Sequence, residues 1–293
     1  MNDPASPKSQ RVGFADHPGI SVLRILFPVL AKLAPTMAAK LALKIFLTPP
    51  RHKEPTWEAH FSALATRTTI LAESQQIVVY SWGGSHKNIL LCHAWGGRGT
   101  QLAKFIEPLV LAGYRVVAFD APGHGRSSGK RTDMMEYSAT IQALDQHFSG
   151  FDALIAHSFG AGNAVFAVSR FRLQTAKIVL IGCFSHGKWI IQRFGEILNI
   201  PSKIVANMCL SLERKYNGQL HWDKLDIVEM LQKCRIPALV VHDKDDREIP
   251  YEHAEKFRRI EQHIWFHDTR KLGHRRIIQN PLVIDRVVAF IKN

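Results

Sequence analysis

The chain has 293 residues, 46% hydrophobic and 22% charged, with no low-complexity tract or fixed-period repeat. This suits one folded body with a sizeable core and room for an insertion, and it excludes a disordered or solenoid chain. Lys and Arg exceed Asp and Glu by 13, but the basic residues are scattered and no helix-turn-helix or RNA-binding signature accompanies them, so a basic surface is expected and a nucleic-acid site is not.

Met1 to Pro18 is polar and reads as a tail. Ile20 to Leu47 is rich in Leu, Ile, Val and Ala but carries Arg24, Lys32, Lys40 and Lys44, and Pro28 and Pro35 are expected to break it into shorter helices. Its charges exclude a membrane-spanning helix, which needs about 20 uninterrupted apolar residues, and the interrupted apolar stretch after a partly acidic leader argues against a signal peptide. Met37, Leu41 and Ile45 share one helical face, with Lys40 and Lys44 on a neighbouring one. The segment is expected either to lie on an anionic membrane surface, residues 20–47 making the contact, or to pack on the domain or cover its active-site mouth.

Thr48-Pro-Pro-Arg51 ends this segment, and Glu54 to Thr66 reads as another helix. Residues 1–66 are thus expected as an N-terminal tail and helical extension, and 67–293 as the main domain. Thr69 to Ala72 and Ile77 to Trp82 look like a hairpin pair. From Asn88 strand and helix alternate. The predicted strands are Ile89–Cys92, Arg115–Phe119, Asp152–Ala156, Ile178–Gly182, Ala238–His242 and a shorter Ile264–Phe266; the helices include Gln101–Leu111, Met134–Phe148 and Pro281–Ile291. Such alternation implies a mostly parallel, doubly wound sheet with helices on both faces and a site at the carboxyl ends of the strands. At about 184–235 the alternation stops, and this helical, basic and aromatic stretch reads as a cap inserted over the site. Cys92, Cys183, Cys209 and Cys234 lie in apolar surroundings without C-x-x-C spacing, as expected of buried thiols in a reducing, cytoplasmic compartment.

Phe151 to Gly162 reads as a buried strand running through a tight turn into a helix, with Ser158 on the turn and the small Ala156 and Gly160 beside it. The Phe159 N–H, at the helix start, points where an oxyanion would form. A serine hydroxyl needs a base to take its proton and an acid to hold that base. His274, after the last strand, is the candidate base, and Asp246, after the strand that follows the insertion, the candidate acid, with adjacent Asp245 as a substitute. The order Ser, Asp, His is that of α/β-hydrolases. After His93 the chain turns on glycines, and the Trp95 N–H is the second candidate oxyanion donor. The histidines show no metal-ligand spacing, so neither a metal nor a cofactor is expected.

Together these stretches resemble the α/β-hydrolase fold superfamily, in which serine esterases and related hydrolases are the commonest members, over roughly Thr68 to the C-terminus. His93-Ala-Trp-Gly is similar to the oxyanion-loop pattern, Asp120-Ala-Pro-Gly-His-Gly-Arg-Ser127 to the D-x-P-G-H-G-x-S loop, His242 to Pro250 to the acid stretch and Leu272-Gly-His274 to the G-H loop. Trp95-Gly-Gly-Arg98 with Gln101-Leu102, and Gly273 to Ile277, resemble a bacterial group with a long N-terminal helical segment. The resemblance implies a Ser158, His274, Asp246 triad hydrolysing a carboxylic ester through an acyl-enzyme, with backbone donors at Trp95 and Phe159. It makes His93, His124 and His157 structural. Ala94, Ala156 and Asp243 replace family glycines, which implies altered loop geometry and pocket volume. A thioesterase or other acyl hydrolase, or a non-catalytic binding protein of the same fold, are the alternatives. Aromatic residues in the insertion, and no evident charged recognition cluster, point to a small, apolar acyl substrate.

Overall fold

A computed structural model describes residues 18–260 and 263–293; residues 1–17, read from the sequence as most of a tail, lie outside the described residues. Contacts divide the chain into two compact units, one combining Ile190–Gln219 with the described part of Met1–Phe46, the other combining Leu47–Trp189 with Leu220–Asn293.

The larger unit is built on one eight-stranded sheet, mostly parallel as the alternation implied. In chain order its strands are β1 Thr66–Ala72, β2 Gln75–Trp82, β3 Asn88–Cys92, β4 Arg115–Phe119, β5 Ala153–His157, β6 Lys177–Ile181, β7 Ala238–Asp243 and β8 Ile264–Thr269. The spatial order is β1-β2-β4-β3-β5-β6-β7-β8, with β1, β2 and β4 joined antiparallel and the other pairs parallel. Strands β3, β5 and β7 are buried along their whole length, as continuous apolar runs covered on both faces must be. β1, with Thr66-Arg-Thr-Thr exposed, tolerates polar residues because it is an edge.

The helices in chain order are α1 Pro18–Leu33, α2 Pro35–Phe46, α3 Thr56–Leu64, α4 Ile106–Leu111, α5 Met134–Phe148, α6 Phe159–Phe171, α7 Gly187–Ile197, α8 Ser202–Lys215, α9 Ile227–Cys234, α10 Glu252–Phe257, α11 Gly273–Arg276 and α12 Pro281–Lys292. Caps mark the long ones. The Asp133 carboxylate accepts from the N–H groups of Met135 and Glu136 to open α5, and Asn280 opens α12 with Pro281 in the first turn. The expected helix at Gln101–Leu111 is a 3₁₀ stretch, Gly99–Phe105, followed by α4.

The boundary expected near residue 66 falls inside the larger unit. Trp57 and Phe61 of α3 pack on the core, and buried Glu58 accepts a hydrogen bond from Thr100 at 3.0 Å. Of the stretch expected as an insertion, only Ile190–Gln219 separates. Its ends stay with the sheet and pair at a neck: His186 bridges Asp226, the Gly187 N–H donates to Leu225 O at 2.8 Å and the Ile227 N–H to Ser185 O at 3.0 Å.

In the smaller unit α1 runs through Pro28, contrary to the expected break; only Pro35 starts a new helix. A proline inside a helix leaves the carbonyl four residues back without its N–H. Here that carbonyl, Arg24 O, accepts from Asn199 Nδ2 at 3.2 Å, so the orphan is satisfied and the helix continues. Phe46 and Phe194 meet edge to face at 5.1 Å. The buried side of α2 is Ala38 and Ala42; Met37 is exposed, with Leu41 and Ile45 at the margins. No helix among the described residues is long and apolar enough to cross a membrane.

Candidate active site

The parallel register ends β3, β5, β6 and β7 at one rim. Cys92 is level with Ala156 and His157 with Ile181, and beyond them the Ser158 N–H donates to Ile181 O at 2.8 Å and the Gly182 N–H to Val241 O at 2.9 Å. Every candidate site residue follows one of these strands or β8.

Ser158 sits at φ 56°, ψ −119°, a strained conformation for a residue with a side chain, held by the strand before it and α6 after it. The close crossing explains Gly160: a Cβ there would lie 2.5 Å from His93 O and 2.6 Å from Cys92 O. Ala156 is fully buried.

His274, in the first turn of α11, brings Nε2 to 2.8 Å from Ser158 Oγ and Nδ1 to 2.7 Å from Asp246 Oδ2. The other oxygen of Asp246 accepts from the N–H groups of Glu248 at 2.8 Å and Ile249 at 3.0 Å. Burial works to raise the Asp246 carboxyl, but the hydrogen bond and charge of His274 and the backbone donor outweigh it and hold the group below the usual carboxylate range. The His274 ring therefore has its Nδ1–H fixed toward the carboxylate and its Nε2 lone pair toward the serine.

Asp245 and Asp243 lie elsewhere. Asp245 Oδ2 accepts from the Lys271 N–H at 2.8 Å on the exposed side of the loop. Asp243, where the resembled pattern has glycine, is buried and ties the strand end to the next loop through Thr269 Oγ1 at 2.7 Å and the Leu272 N–H at 3.0 Å.

The Trp95 N–H lies between two committed neighbours: Ala94 N–H donates to Gln101 Oε1 at 2.7 Å and Gly96 N–H to His124 Nε2 at 3.0 Å. Among the described residues no hydrogen bond engages the N–H of Trp95 or of Phe159, and their rings meet edge to face at 5.1 Å. The loop is held from behind by Tyr137, whose hydroxyl donates to His93 O at 2.7 Å.

His93, His124 and His157 are buried and do not face Ser158 Oγ. His93 Nε2 accepts from the Ala121 N–H at 3.0 Å, so its Nδ1–H donates to Ala94 O; burial lowers it to about 4. His124 is lowered to about 3 by burial and then by His93. His157 Nε2–H donates to the backbone carbonyl of His274 at 2.9 Å, and burial followed by the neighbouring His274 lowers it to about 3.

Three features escaped the sequence. His157 reaches His274 across the fold. Arg51 braces the Asp120–Ser127 loop by donating to Gly123 O, Ser127 O and Gly129 O at 3.0 to 3.1 Å. The loops after β7 and β8 gather Arg247, Arg270, Lys271, Arg275 and Arg276, with Asp245 and Glu248, around a depression of about 680 Å³ that His274 also lines. These charges come from two loops distant in sequence, so the chain shows no such cluster when read in order; within it Arg275 pairs with Glu248 at 2.7 Å.

A family model described as serine aminopeptidase, S33, matches residues 83–225. A non-heme haloperoxidase of Rhodococcus erythropolis is 35% identical over 224 residues, covering 61% of this chain and 81% of that protein. The chain belongs to the α/β-hydrolase superfamily. This α/β-hydrolase is also 25% identical, over 48% of its length and 67% of the relative's, to a bifunctional esterase/perhydrolase of Acinetobacter calcoaceticus. The crystal structure of a membrane phospholipase A superposes with a TM-score of 0.61 at 18% identity, over 94% of this chain and 99% of the other, which shows a shared fold. The family model and the two sequence relatives support a hydrolase-type enzyme.

Proposed function

We propose that this α/β-hydrolase is a serine esterase that cleaves a carboxylic ester through an acyl-enzyme, with Ser158 as nucleophile, His274 as base and Asp246 as the acid that orients it. The observation that carries the reading is the unbroken line from Ser158 Oγ through His274 to Asp246, at 2.8 and 2.7 Å, with the far carboxylate oxygen pinned by two backbone donors. His274 Nε2 takes the Ser158 proton as Oγ bonds to the acyl carbon. The Trp95 and Phe159 N–H groups hold the oxyanion. His274 then protonates the departing alkoxide, and a water that gives its proton to His274 releases the acid and restores Ser158.

The names of the esterase/perhydrolase and phospholipase A above support an ester substrate. The same machinery suits a thioester, which is the second reading; a non-catalytic binding protein of this fold is the third. A panel of p-nitrophenyl esters and acyl thioesters, graded in chain length and including acidic acyl groups that would suit the basic depression, tests them. The esterase reading expects ester turnover that Ser158→Ala abolishes. Preference for thioesters moves the assignment to the second reading, and no turnover of either class favours the third.

A further inference from the structure

Six of the twelve exposed large apolar side chains among the described residues lie between Val22 and Met37. Val22, Ile25, Leu26, Val29 and Leu33 follow one another in steps of one, three or four residues, which lines them along one side of α1, and Met37 is exposed in the first turn of α2. Ile20 and Phe27, which are buried, occupy the opposite side of α1. A helix that has already buried one apolar face thus presents a second to solvent, with Ile25 74% and Leu33 80% exposed. Single exposed leucines are ordinary; a continuous stripe of this kind marks a contact surface.

The charges decide what fits it. Residues 18–46 contain Arg24, Lys32, Lys40 and Lys44, all exposed, and no acidic residue. Within α2, Lys40 and Lys44 continue from Met37 in steps of three and four residues. A second copy docked on the same face would bring Lys32 and Lys40, which flank the stripe, against their own counterparts, and the segment carries no carboxylate to face them. An anionic bilayer offers an apolar boundary for the stripe and phosphates for its cationic border, an arrangement matching that of interfacial helices. We infer that the exposed face of α1 and α2 is a docking surface for anionic phospholipid membrane, lying in the interface without crossing it.

The test is co-sedimentation of the full chain with vesicles of phosphatidylcholine alone and of phosphatidylcholine with 30 to 40% phosphatidylglycerol. The full chain is expected to partition onto the anionic vesicles at least ten-fold more strongly, and to lose this on raising salt from about 0.1 to 1 M, where the screening length falls from about 10 to about 3 Å. Val29→Asp with Leu33→Asp, at positions already exposed, is expected to lower partitioning at least ten-fold. Helical circular dichroism and turnover of a soluble ester should stay unchanged. Lys32→Gln with Lys40→Gln is expected to reduce anionic binding and leave the weak neutral binding as it was. Equal partition onto both vesicle types, no binding, or binding unaffected by the double aspartate variant overturns the inference. So does a dimer in sedimentation equilibrium that the double aspartate variant dissolves, which would make the occupant a second copy.

Discussion

Two adjacent carboxylates show how local geometry separates roles. Asp246 aims one oxygen at His274 Nδ1 and anchors the other on two N–H groups, whereas Asp245, one residue away, turns outward to the Lys271 N–H. Replacing Asp246 by Asn puts an amide against the imidazole and favours the tautomer with its proton toward Ser158, so Asp246→Asn is expected to lower kcat/KM about 10⁴-fold. Asp245→Asn keeps an oxygen for Lys271 and is expected to change kcat/KM little. Steady-state ester hydrolysis by the two variants checks this, and a reversed ranking would move the acid to Asp245. The positions of Ser158, Asp246 and His274 at strand ends were legible because turn chemistry and strand order are local signals. The His157 bond to His274 O joins residues 117 apart and has no such signal.

At the scale of elements, α1 runs on through Pro28 against its propensity, because propensity counts only the lost helix bond and not the side chain that replaces it. Asn199 supplies that replacement from 175 residues away. It also occupies the left-handed region at φ 54°, so glycine removes its amide without adding backbone strain. Asn199→Gly is expected to destabilise the protein by about 1 kcal/mol. Pro28→Ala restores an N–H for Arg24 O and is expected to stabilise it, by at most about 3 kcal/mol. In the Pro28→Ala background, the cost of Asn199→Gly should shrink, since the carbonyl then has a donor within its helix. Urea unfolding of the four chains measures the cycle; strict additivity would contradict the pairing. Residues 47–66 group with the sheet for a related reason that nothing local shows: Arg51 clamps a loop more than 70 residues away and Glu58 meets Thr100.

At the scale of the whole molecule, the sheet was legible because a parallel strand buried on both faces is an apolar run, and from Asn88 on six predicted strands alternate with helices, after a hairpin pair. The grouping of Ile190–Gln219 with α1 and α2 was not, since it depends on contacts between distant segments. The buried histidines give the molecule a common pH response. His93 and His253 are lowered to about 4, and His124 and His157 to about 3, in each case first by burial. Below about pH 6.5 the unfolded chain binds protons that the folded chain refuses until these lower values, so each histidine removes stability as pH falls, by up to about 1.4 kcal/mol per pH unit. Asp246, held below the usual range, adds to the loss only at lower pH, as it is protonated. The urea midpoint is therefore expected to fall clearly between pH 7 and pH 5; an unchanged midpoint would contradict neutral buried imidazoles. The central claim, that Ser158 is a nucleophile activated by His274, is tested most directly by reaction with a fluorophosphonate followed by peptide mass mapping. The expected result is one adduct on the peptide carrying Ser158, absent from Ser158→Ala and strongly slowed in His274→Ala. An adduct on another residue, or undiminished labelling of Ser158→Ala, would contradict it.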